Sequence, residues 1–282
     1  MMSGYDLYLS YSGRRAYLIC PKKYYNQYVK KIPPEYDPRT HMFGSAIGKV
    51  FEWFYNNRVW SHPNPERETL NLIVPAINQI FKEEKFSKDT DKGYTAQLLD
   101  DMKQYVSAGI EVIRDYKLVT PRSIAEQDLT LNCTNSDFGI TIRIGGKADF
   151  LHGYDDKIWL IDGKGSKYRD QYTDPEQLIW YALQHYLKYH IAPSRIGFLF
   201  WRFPDDPLQW IEYNEQSLKN SLNLTFEVAQ NIRSGSFNTK PSKNCNLCDY
   251  KKTCTDGQEY LEAMNVDSKD TVDDSVFDIE FV

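Results

Sequence analysis

The stretch IGGKADFLHGYDDKIWLIDGKG, residues 144–165, decides the fold of this chain. Two apolar runs flank the turn-forming sequence GYDD, and this pattern predicts two successive strands of one sheet. We expect Asp149 to end the first strand and Asp162 to end the second, with Lys164 two residues later on the same face. We therefore expect two carboxylates and an amine to converge at one mouth of the sheet.

Carboxylate oxygens at such a mouth suit a hard divalent cation, Mg²⁺ or Mn²⁺, which takes only one or two protein carboxylates and keeps several waters. A cation bound there would polarise a phosphoryl oxygen and acidify a bound water, and Lys164 would orient that water or offset charge on phosphorus. A structural interpretation is also open. Asp-Gly-Lys-Gly is common in turns, and Asp149 can pair with a lysine at a strand end.

The rest of the chain extends this sheet with helices. IAEQDLTLNC, ITIRIGGKADFL and KIWLIDGKG predict three strands, RIGFLFWRF predicts a buried strand, and Asp174 with Pro175 starts a helix that carries Gln177 and Tyr181 on one face. We predict a single α/β domain over residues 1–255. Its parts are a helical region (about 10–120), a core (about 121–235) and a cysteine segment (241–255).

Four cysteines lie near the two ends of the chain: Cys20, then Cys245, Cys248 and Cys254 in the spacing Cys-x2-Cys-x5-Cys. Four thiolates are the ligand set of either a zinc ion or an iron-sulfur cluster. Charges interrupt the apolar runs, and the start of the chain lacks the order of a signal peptide. We therefore expect no membrane contact and a cytoplasmic, reducing location, with Cys133 as a bystander.

The charge is divided unevenly along the chain. Of the formal charge of −5, residues 256–282 contribute −8, so residues 1–255 carry +3. Basic residues early in the chain alternate with tyrosines, and this mixture is typical of surfaces that bind phosphates and stack bases. The expected DNA contacts are Arg14, Arg15, Lys22 and Lys23, although an ordinary solvated helix face explains them equally well. We expect the acidic tail, 256–282, to be disordered. Its end, 267–282, either docks a protein partner or is simply solvated.

In their order, these motifs resemble those of the PD-(D/E)XK nuclease superfamily. IGGKADFL, LIDGKGS and DPEQLIWYA resemble its Asp, (Asp/Glu)-x-Lys and Gln-x3-Tyr motifs. CPKKYYNQYV and CNLCDYKKTC resemble the N-terminal and C-terminal cysteine motifs of its RecB-like iron-sulfur branch, which includes AddB nuclease domains and CRISPR-associated nucleases that trim prespacers. The resemblance covers roughly residues 10–255.

The resemblance implies a restriction-endonuclease-like central mixed sheet flanked by helices, with a helical N-terminal elaboration. It implies Asp149, Asp162 and the Gly163 carbonyl as metal ligands, Lys164 as the electrostatic partner, and Gln177 and Tyr181 as positioning residues. It further implies a 4Fe-4S cluster, with zinc as the alternative, that clasps the cysteine segment. The cluster ligands would be Cys20, Cys245, Cys248 and Cys254.

One position departs from the family pattern. The helix before the sheet usually reads Gly-x3-His-x3-Glu, but this chain has Gly44, Gly48 and Glu52 there. The histidine is a metal ligand in the family, and Glu52 is its expected substitute. The resemblance as a whole implies a metal-dependent DNA exonuclease acting on single strands or duplex ends, in recombination, repair, phage DNA metabolism or CRISPR adaptation. The alternative is a catalytically weak or inactive DNA-binding or assembly subunit.

Overall fold

A computed structural model describes residues 5–33, 39–83, 92–165, 169 and 173–264 of the protein. In chain order, its strands and helices are β1 (Leu7–Ser10), α1 (Tyr11–Ile19), α2 (Pro21–Tyr24) with a π-helical turn (Tyr25–Val29), α3 (Arg39–Asn56), α4 (Pro65–Asn71), α5 (Ile73–Glu83), α6 (Lys92–Asp115), β2 (Ile124–Asp128), β3 (Leu131–Asn135), β4 (Ile140–Gly145), β5 (Lys147–Tyr154), β6 (Lys157–Lys164), α7 (Pro175–Tyr189), β7 (Arg195–Phe200), β8 (Leu208–Ile211), α8 (Glu215–Arg233) and α9 (Thr255–Ala263).

The described residues form two compact units. Within the described residues, the first unit comprises 5–33, 130–146 and 215–264, and the second comprises 39–83, 92–129, 147–165, 169 and 173–214. Each unit has its own sheet: β1-β4-β3 in the first, and β2-β5-β6-β7-β8 in the second. The structure is thus an α/β fold with mixed sheets flanked by helices, consistent with the restriction-endonuclease-like class. The expectation of a single domain over 1–255 stays a prediction.

In the first unit, β1 pairs in parallel with β4, and β3 pairs with β4 in the antiparallel direction. Leu9, Ile142 and Ile144 are buried apolar residues of this sheet. Helix α1 starts at the N-cap Ser10, whose side chain accepts a hydrogen bond from the Gly13 amide. Helix α8 contacts α1, β1 and β4, so helices cover the sheet of this unit.

In the second unit, β6 is central. It pairs with β5 in the antiparallel direction and with β7 in parallel, and β2 and β8 extend the sheet in the antiparallel direction. Helices α3 and α7 cover opposite faces. Asp162 is hydrogen-bonded to Gln177 of α7, whereas the next residue, Gly163, lies beneath Trp201, which stacks on Phe51 of α3. The alternation of a strand thus directs neighbouring residues of β6 to different helices.

The strand prediction was right in type but wrong in extent. The run 124–133 divides at Leu129 and Thr130 into β2 and β3, and the run 140–151 divides at Gly146 into β4 and β5. In each case the two halves belong to different sheets. The short edge strand β8 was not predicted. Its four residues are too few to show the alternation of apolar and polar residues that indicates a strand.

The C-terminal prediction needs one correction. Residues 255–263 form helix α9, so the segment predicted as a disordered tail from residue 256 starts with ordered structure. The predicted docking segment, 267–282, lies outside the described residues. In the part of the chain that the structure describes, no helix is long and apolar enough to cross a membrane.

Candidate active site

Strand pairing brings the two predicted carboxylates together. Phe150 of β5 pairs with Ile161 of β6, and one further step of this antiparallel register sets Asp149 opposite Asp162. The Gly163 amide donates a hydrogen bond of 2.9 Å to Asp149 Oδ2. Asp162 is only 2% exposed. The two carboxylates are therefore held on adjacent strands, at the end of the sheet where β6 stops.

Burial raises the pKa of both carboxyl groups, because a charged carboxylate loses its hydration in the protein interior. The pKa of Asp149 is raised well above its usual value, and repulsion from Asp162 adds to the effect of burial. At Asp162, the nearby Lys164 ammonium opposes the rise. A buried carboxylate pair of this kind favours a bound cation, since a positive charge offsets both the lost hydration and the repulsion.

Lys164 is fixed by a polar network that reaches helix α7. Its Nζ lies 2.6 Å from Asp162 Oδ2 and donates a 2.9 Å hydrogen bond to Gln177 Oε1. Gln177 Nε2 in turn donates to Asp162 Oδ1 at 3.0 Å and to the Tyr181 hydroxyl at 3.5 Å. Burial raises the pKa of Tyr181, and the negative charge of Asp162 raises it further. The structure thus brings the predicted Asp, Lys, Gln and Tyr side chains into one cluster.

The start of α7 explains why Gln177 reaches the strand ends. Asp174 is the N-cap, and its side chain accepts a hydrogen bond from the Glu176 amide at 3.1 Å. Pro175 occupies the first helical position, where its missing N–H is not needed. Together they fix the beginning of α7 two residues before Gln177.

The sequence reasoning missed Glu126 of β2. Ala125 pairs with Phe150 and Gln127 with Ala148, so Glu126 lies opposite Asp149 in the register of β2 and β5. Its backbone is left-handed, with φ of +54°, which costs a non-glycine residue about 1–3 kcal/mol, and strained residues of this kind are enriched at functional sites. Burial raises its pKa, and Glu52 adds to the rise. Its signal in the sequence, one acidic residue in the run IAEQ, is too weak to identify it.

A cavity of about 120 Å³ lies beside these carboxylates. Its lining residues are Gly44, Gly48, Glu52, Glu126, Asp149, Phe150, Gly163, Gly165 and Trp201. Glu52 is paired with Lys49 at 2.6 Å. A Cβ at Gly48 would meet no atom within 4 Å, so the position where the family has histidine opens towards free space.

The donor set suits a divalent metal of the hard type. Asp149 and Asp162 supply carboxylate oxygens, and the raised pKa values of the pair are consistent with a place for a cation. Among the described residues, no three His, Cys, Asp or Glu side chains are close enough together to hold a metal ion as they stand. The fit therefore rests on two carboxylates, the number that magnesium commonly takes, with Glu52 and Glu126 at the wall of the adjoining cavity.

The four predicted cluster ligands all belong to the first unit. The Sγ atoms of Cys245 and Cys254 lie 3.5 and 3.4 Å from where a Cβ of Gly257 would be, so a larger residue would crowd both thiols. Burial raises the pKa of the Cys248 thiol, and Cys20 is a minor further cause of the rise. All four are free thiols.

These thiols fit a cluster by chemistry, because four free thiols are its ligand set and two of them, Cys245 and Cys254, lie beside the same residue, Gly257. They do not form a closed metal site, since no metal-binding group of three occurs in the described part of the chain. The iron-sulfur cluster therefore stays a prediction. Cys133, the expected bystander, lies on β3, where burial raises its pKa to about 11.

The predicted DNA contacts differ in their surroundings. Arg14 is 1% exposed and donates hydrogen bonds from Nη1 to Ser221 Oγ at 2.8 Å and to Thr225 Oγ1 at 3.2 Å. Arg14 is therefore a structural residue of the first unit, and it is excluded from the proposed DNA contacts. Arg14 lies on the face of α1 that contacts α8. Composition alone does not show whether an arginine lies on this buried face or on the exposed face of the helix.

The other three basic residues are partly or fully exposed. Arg15 lies on the outer face of α1. The Lys22 ammonium lies 5.2 Å from the centre of the Tyr25 ring, and Lys23 forms an ion pair of 3.0 Å with Asp249. Lys23 thus has a carboxylate partner, and Arg15 and Lys22 stay predicted phosphate contacts.

Comparison with known proteins identifies the family of this site. The model of the PD-(D/E)XK nuclease superfamily matches residues 8–255. No curated protein matches the chain. A solved structure titled "Crystal structure of SSO0001" is 11% identical, with an alignment that covers 76% of this chain and 84% of that chain and a TM-score of 0.35. A likeness at that score leaves the fold to be argued from the sheet topology.

Proposed function

Because the chain belongs to the PD-(D/E)XK nuclease superfamily, we propose that it is a metal-dependent deoxyribonuclease, an exonuclease that hydrolyses phosphodiester bonds in single-stranded DNA or at duplex ends. The observation that carries the proposal is the pairing of Asp149 with Asp162 across β5 and β6, beside the amine of Lys164. The two aspartates would supply ligands for a metal ion, and Lys164 would supply a fixed positive charge. Phosphodiester hydrolysis needs both.

The proposed ligands of Mg²⁺ or Mn²⁺ are Asp149, Asp162 and the Gly163 carbonyl. When bound there, a divalent cation polarises a phosphoryl oxygen and lowers the pKa of a coordinated water. Glu52, at the wall of the cavity, is the proposed substitute for the missing histidine. The raised pKa values of the aspartates support this assignment, because such a pair is stabilised by a neighbouring cation.

Lys164 is proposed to act on the substrate by charge. Its ammonium group would offset the negative charge that develops on phosphorus, and it would orient the attacking water. Gln177 accepts a hydrogen bond from that amine at Oε1 and donates one to Asp162 from Nε2. One amide group therefore fixes the positions of both side chains. Tyr181 contacts the same amide and completes the support from α7.

Two substitutions test this function. Asp162→Ala and Lys164→Ala are each expected to reduce DNA cleavage about 10²-fold or more, because each removes a charge that acts on the transition state. The assay uses end-labelled single-stranded and double-stranded DNA, with and without Mn²⁺. Asp156→Ala is the control, since Asp156 is exposed in the turn between the same two strands. If either active-site variant degrades DNA as fast as the parent, the assignment is wrong.

A second candidate is a catalytically weak DNA-binding or assembly subunit. It is favoured by Gly48, which leaves the position of the family histidine without a side chain. This alternative predicts that the protein retains DNA but shows no cleavage that depends on Mg²⁺ or Mn²⁺. The same assay, combined with a filter-retention measurement, separates the two candidates.

The proposed function includes a structural 4Fe-4S cluster on Cys20, Cys245, Cys248 and Cys254. The position of Cys245 and Cys254 beside the same residue, Gly257, supports it. Anaerobically purified protein is expected to show the visible absorption of an iron-sulfur cluster and about four iron atoms per chain. A colourless, zinc-loaded protein would contradict the cluster and leave the nuclease proposal standing.

A further inference from the structure

Arg202 lies at the catalytic end of the second unit's sheet. Strand β7 runs parallel to β6 and pairs Phe200 with Lys164, so Arg202 follows two residues beyond the position opposite Lys164. Its neighbour Trp201 lines the cavity beside the carboxylates. The chain therefore delivers a guanidinium group to the edge of the candidate active site.

Helix α3 also places Arg202 near this cavity, because the helix contacts Arg202 and contributes residues to the cavity wall. The guanidinium carbon of Arg202 lies 4.4 Å from the centre of the Phe43 ring. Phe43 directly precedes Gly44, a residue of the cavity wall, and its ring edge is 4.0 Å from where a Cβ of Gly165 would be. Arg202 is thus beside the cavity that the carboxylate Asp149 lines, without lining it itself.

The surroundings of Arg202 fix its position without neutralising it. The guanidinium is also 4.8 Å from the centre of the Tyr105 ring, so two aromatic rings hold it by cation-π contact. Its Nε atom is buried without a hydrogen-bond partner among the described residues. Other cations near this end of the sheet do have carboxylate partners: Lys164 pairs with Asp162, and Arg169 pairs with Asp206.

A planar, permanently charged and pre-positioned guanidinium is the group that proteins use for two-pronged recognition of phosphate. Burial lowers the pKa of Arg202, but an arginine side chain stays protonated in proteins. The stacking also removes part of the side-chain entropy that a phosphate contact would otherwise cost. The negative charge of Asp101 acts on Arg202 as well, and it opposes the effect of burial on the pKa of the guanidinium.

We propose that Arg202 binds a non-scissile phosphate of the substrate strand, next to the phosphate that is cleaved at Asp149 and Asp162. This inference rests on the proposed function. The contact is with the sugar-phosphate backbone, so it positions the strand without selecting its sequence. It makes Arg202 a residue that touches the substrate, although it takes no part in bond breaking.

The test measures binding of a labelled oligothymidylate to the full chain in EDTA, where metal-dependent cleavage is absent. For single strands, the slope of log affinity against log salt changes by about 0.7 for each phosphate contact. Arg202→Gln is expected to lower the slope by about that amount and to weaken binding. Arg202→Lys is expected to keep the slope, because it keeps the charge, but to weaken binding because lysine lacks the two-pronged geometry.

Arg195 provides a matched control within the same unit. Its guanidinium also lies over two aromatic rings, 5.0 Å from the centre of Trp159 and 5.3 Å from that of Trp210. It pairs with Trp159 in the register of β6 and β7, at the end of the sheet opposite Asp162. Arg195→Gln is therefore expected to leave both the slope and the affinity unchanged.

Three outcomes would overturn the inference: an unchanged slope in folded Arg202→Gln, an equal loss of slope in Arg195→Gln, or parental affinity in Arg202→Lys. Circular dichroism establishes that each variant is folded. If Arg202→Gln does not fold, the affinity of Arg202→Lys alone tests the inference. Asp162→Ala separates this inference from the proposed function, since it removes cleavage but not the Arg202 contact. If the parent cleaves no DNA with Mn²⁺ and Arg202→Gln still lowers the slope, only the nuclease proposal fails.

Discussion

At the scale of single residues, Gly48 decides how far this site follows its family. A Cβ there would meet no atom within 4 Å, so a larger side chain fits without displacing a neighbour. We expect Gly48→His to increase the affinity for Mn²⁺, because it adds an imidazole to a cavity that already contains Glu52 and Asp149. Isothermal titration of the purified variant with Mn²⁺ measures the change.

Gly48→Ala is the control for this prediction. It removes the helical cost of glycine without adding a ligand, and it should stabilise the protein by about 0.5–1 kcal/mol. Gly109 on α6 shows the opposite case, since a Cβ there would lie 2.5 Å from Phe51 Cζ and Gly109→Ala should destabilise. Equal Mn²⁺ affinities of Gly48→His and Gly48→Ala would contradict the prediction.

Glu126 carries a second prediction at this scale. It lines the same cavity as Asp149 and lies opposite it across β2 and β5. Glu126→Gln should weaken Mn²⁺ binding about tenfold or more, the range found when a group that supports a metal site is removed. Titration calorimetry measures the affinity, and Glu111→Gln, on the exposed face of α6, is the control.

The strained backbone of Glu126 provides an independent readout. Glycine adopts a φ of +54° without penalty, so Glu126→Gly should raise the free energy of unfolding while it weakens metal binding. Gain of stability with loss of affinity would identify a residue kept for function. If Glu126→Gly loses stability and leaves the Mn²⁺ affinity unchanged, Glu126 is structural.

The difference between Asp149 and Glu126 shows what sequence alone can predict about the site. Asp149, Asp162, Lys164, Gln177 and Tyr181 were found because ordered strand-end and helix-face patterns bring them together. Glu126 was missed because its contribution depends on the pairing register of β2 with β5 and on one left-handed residue. Neither property has a local signal in the amino-acid sequence.

At the scale of elements, helix α7 is the positioning device of the candidate site, and its N-cap is the point to test. Asp174→Ala removes the hydrogen bond to the Glu176 amide and should cost about 1 kcal/mol of stability. Because Gln177 follows three residues later, we also expect slower DNA cleavage at saturating substrate. Thermal unfolding and kcat on labelled DNA measure the two effects.

Asn64→Ala is the matched control for the cap. Asn64 caps α4 in the same unit through a 3.1 Å hydrogen bond from the Arg67 amide, and Pro65 follows it as Pro175 follows Asp174. Helix α4 provides no residue of the candidate site. A similar loss of stability without a loss of kcat is therefore expected, and equal kcat losses would show that the effect of Asp174 is not local.

Elements were easier to predict than their assignment to sheets. The starts of α2 and α7 follow from proline at the first helical position, and β5, β6 and β7 follow from their apolar runs. The breaks at Leu129 and at Gly146 were not predicted, because the apolar alternation continues across them. Whether a strand continues or passes to another sheet depends on partners that are distant in sequence.

At the scale of the whole molecule, the two predicted metal chemistries belong to different units. The proposed catalytic carboxylates lie in the unit that contains β5 and β6, whereas the four proposed cluster cysteines lie in the unit that contains α1 and α9. A cluster would thus join the end of α1 to the C-terminal segment within one unit. Some links already exist there, since Lys23 pairs with Asp249 and the Tyr250 hydroxyl donates to the Ile32 carbonyl at 3.0 Å.

Removing one cluster cysteine should therefore destabilise the first unit before it affects metal-dependent chemistry in the second. We expect Cys248→Ser to lose iron and to lower the unfolding temperature, by about 2–4 °C for each kcal/mol of binding energy lost. Hydrogen exchange should accelerate in peptides from residues 10–33 and 215–264, and remain at the parental rate in β5 and β6. Cys133→Ser is the control, because Cys133 lies in the same unit but outside the four-cysteine set. Iron retained in Cys248→Ser, or equal exchange in both units, would contradict a cluster that acts as a local clasp.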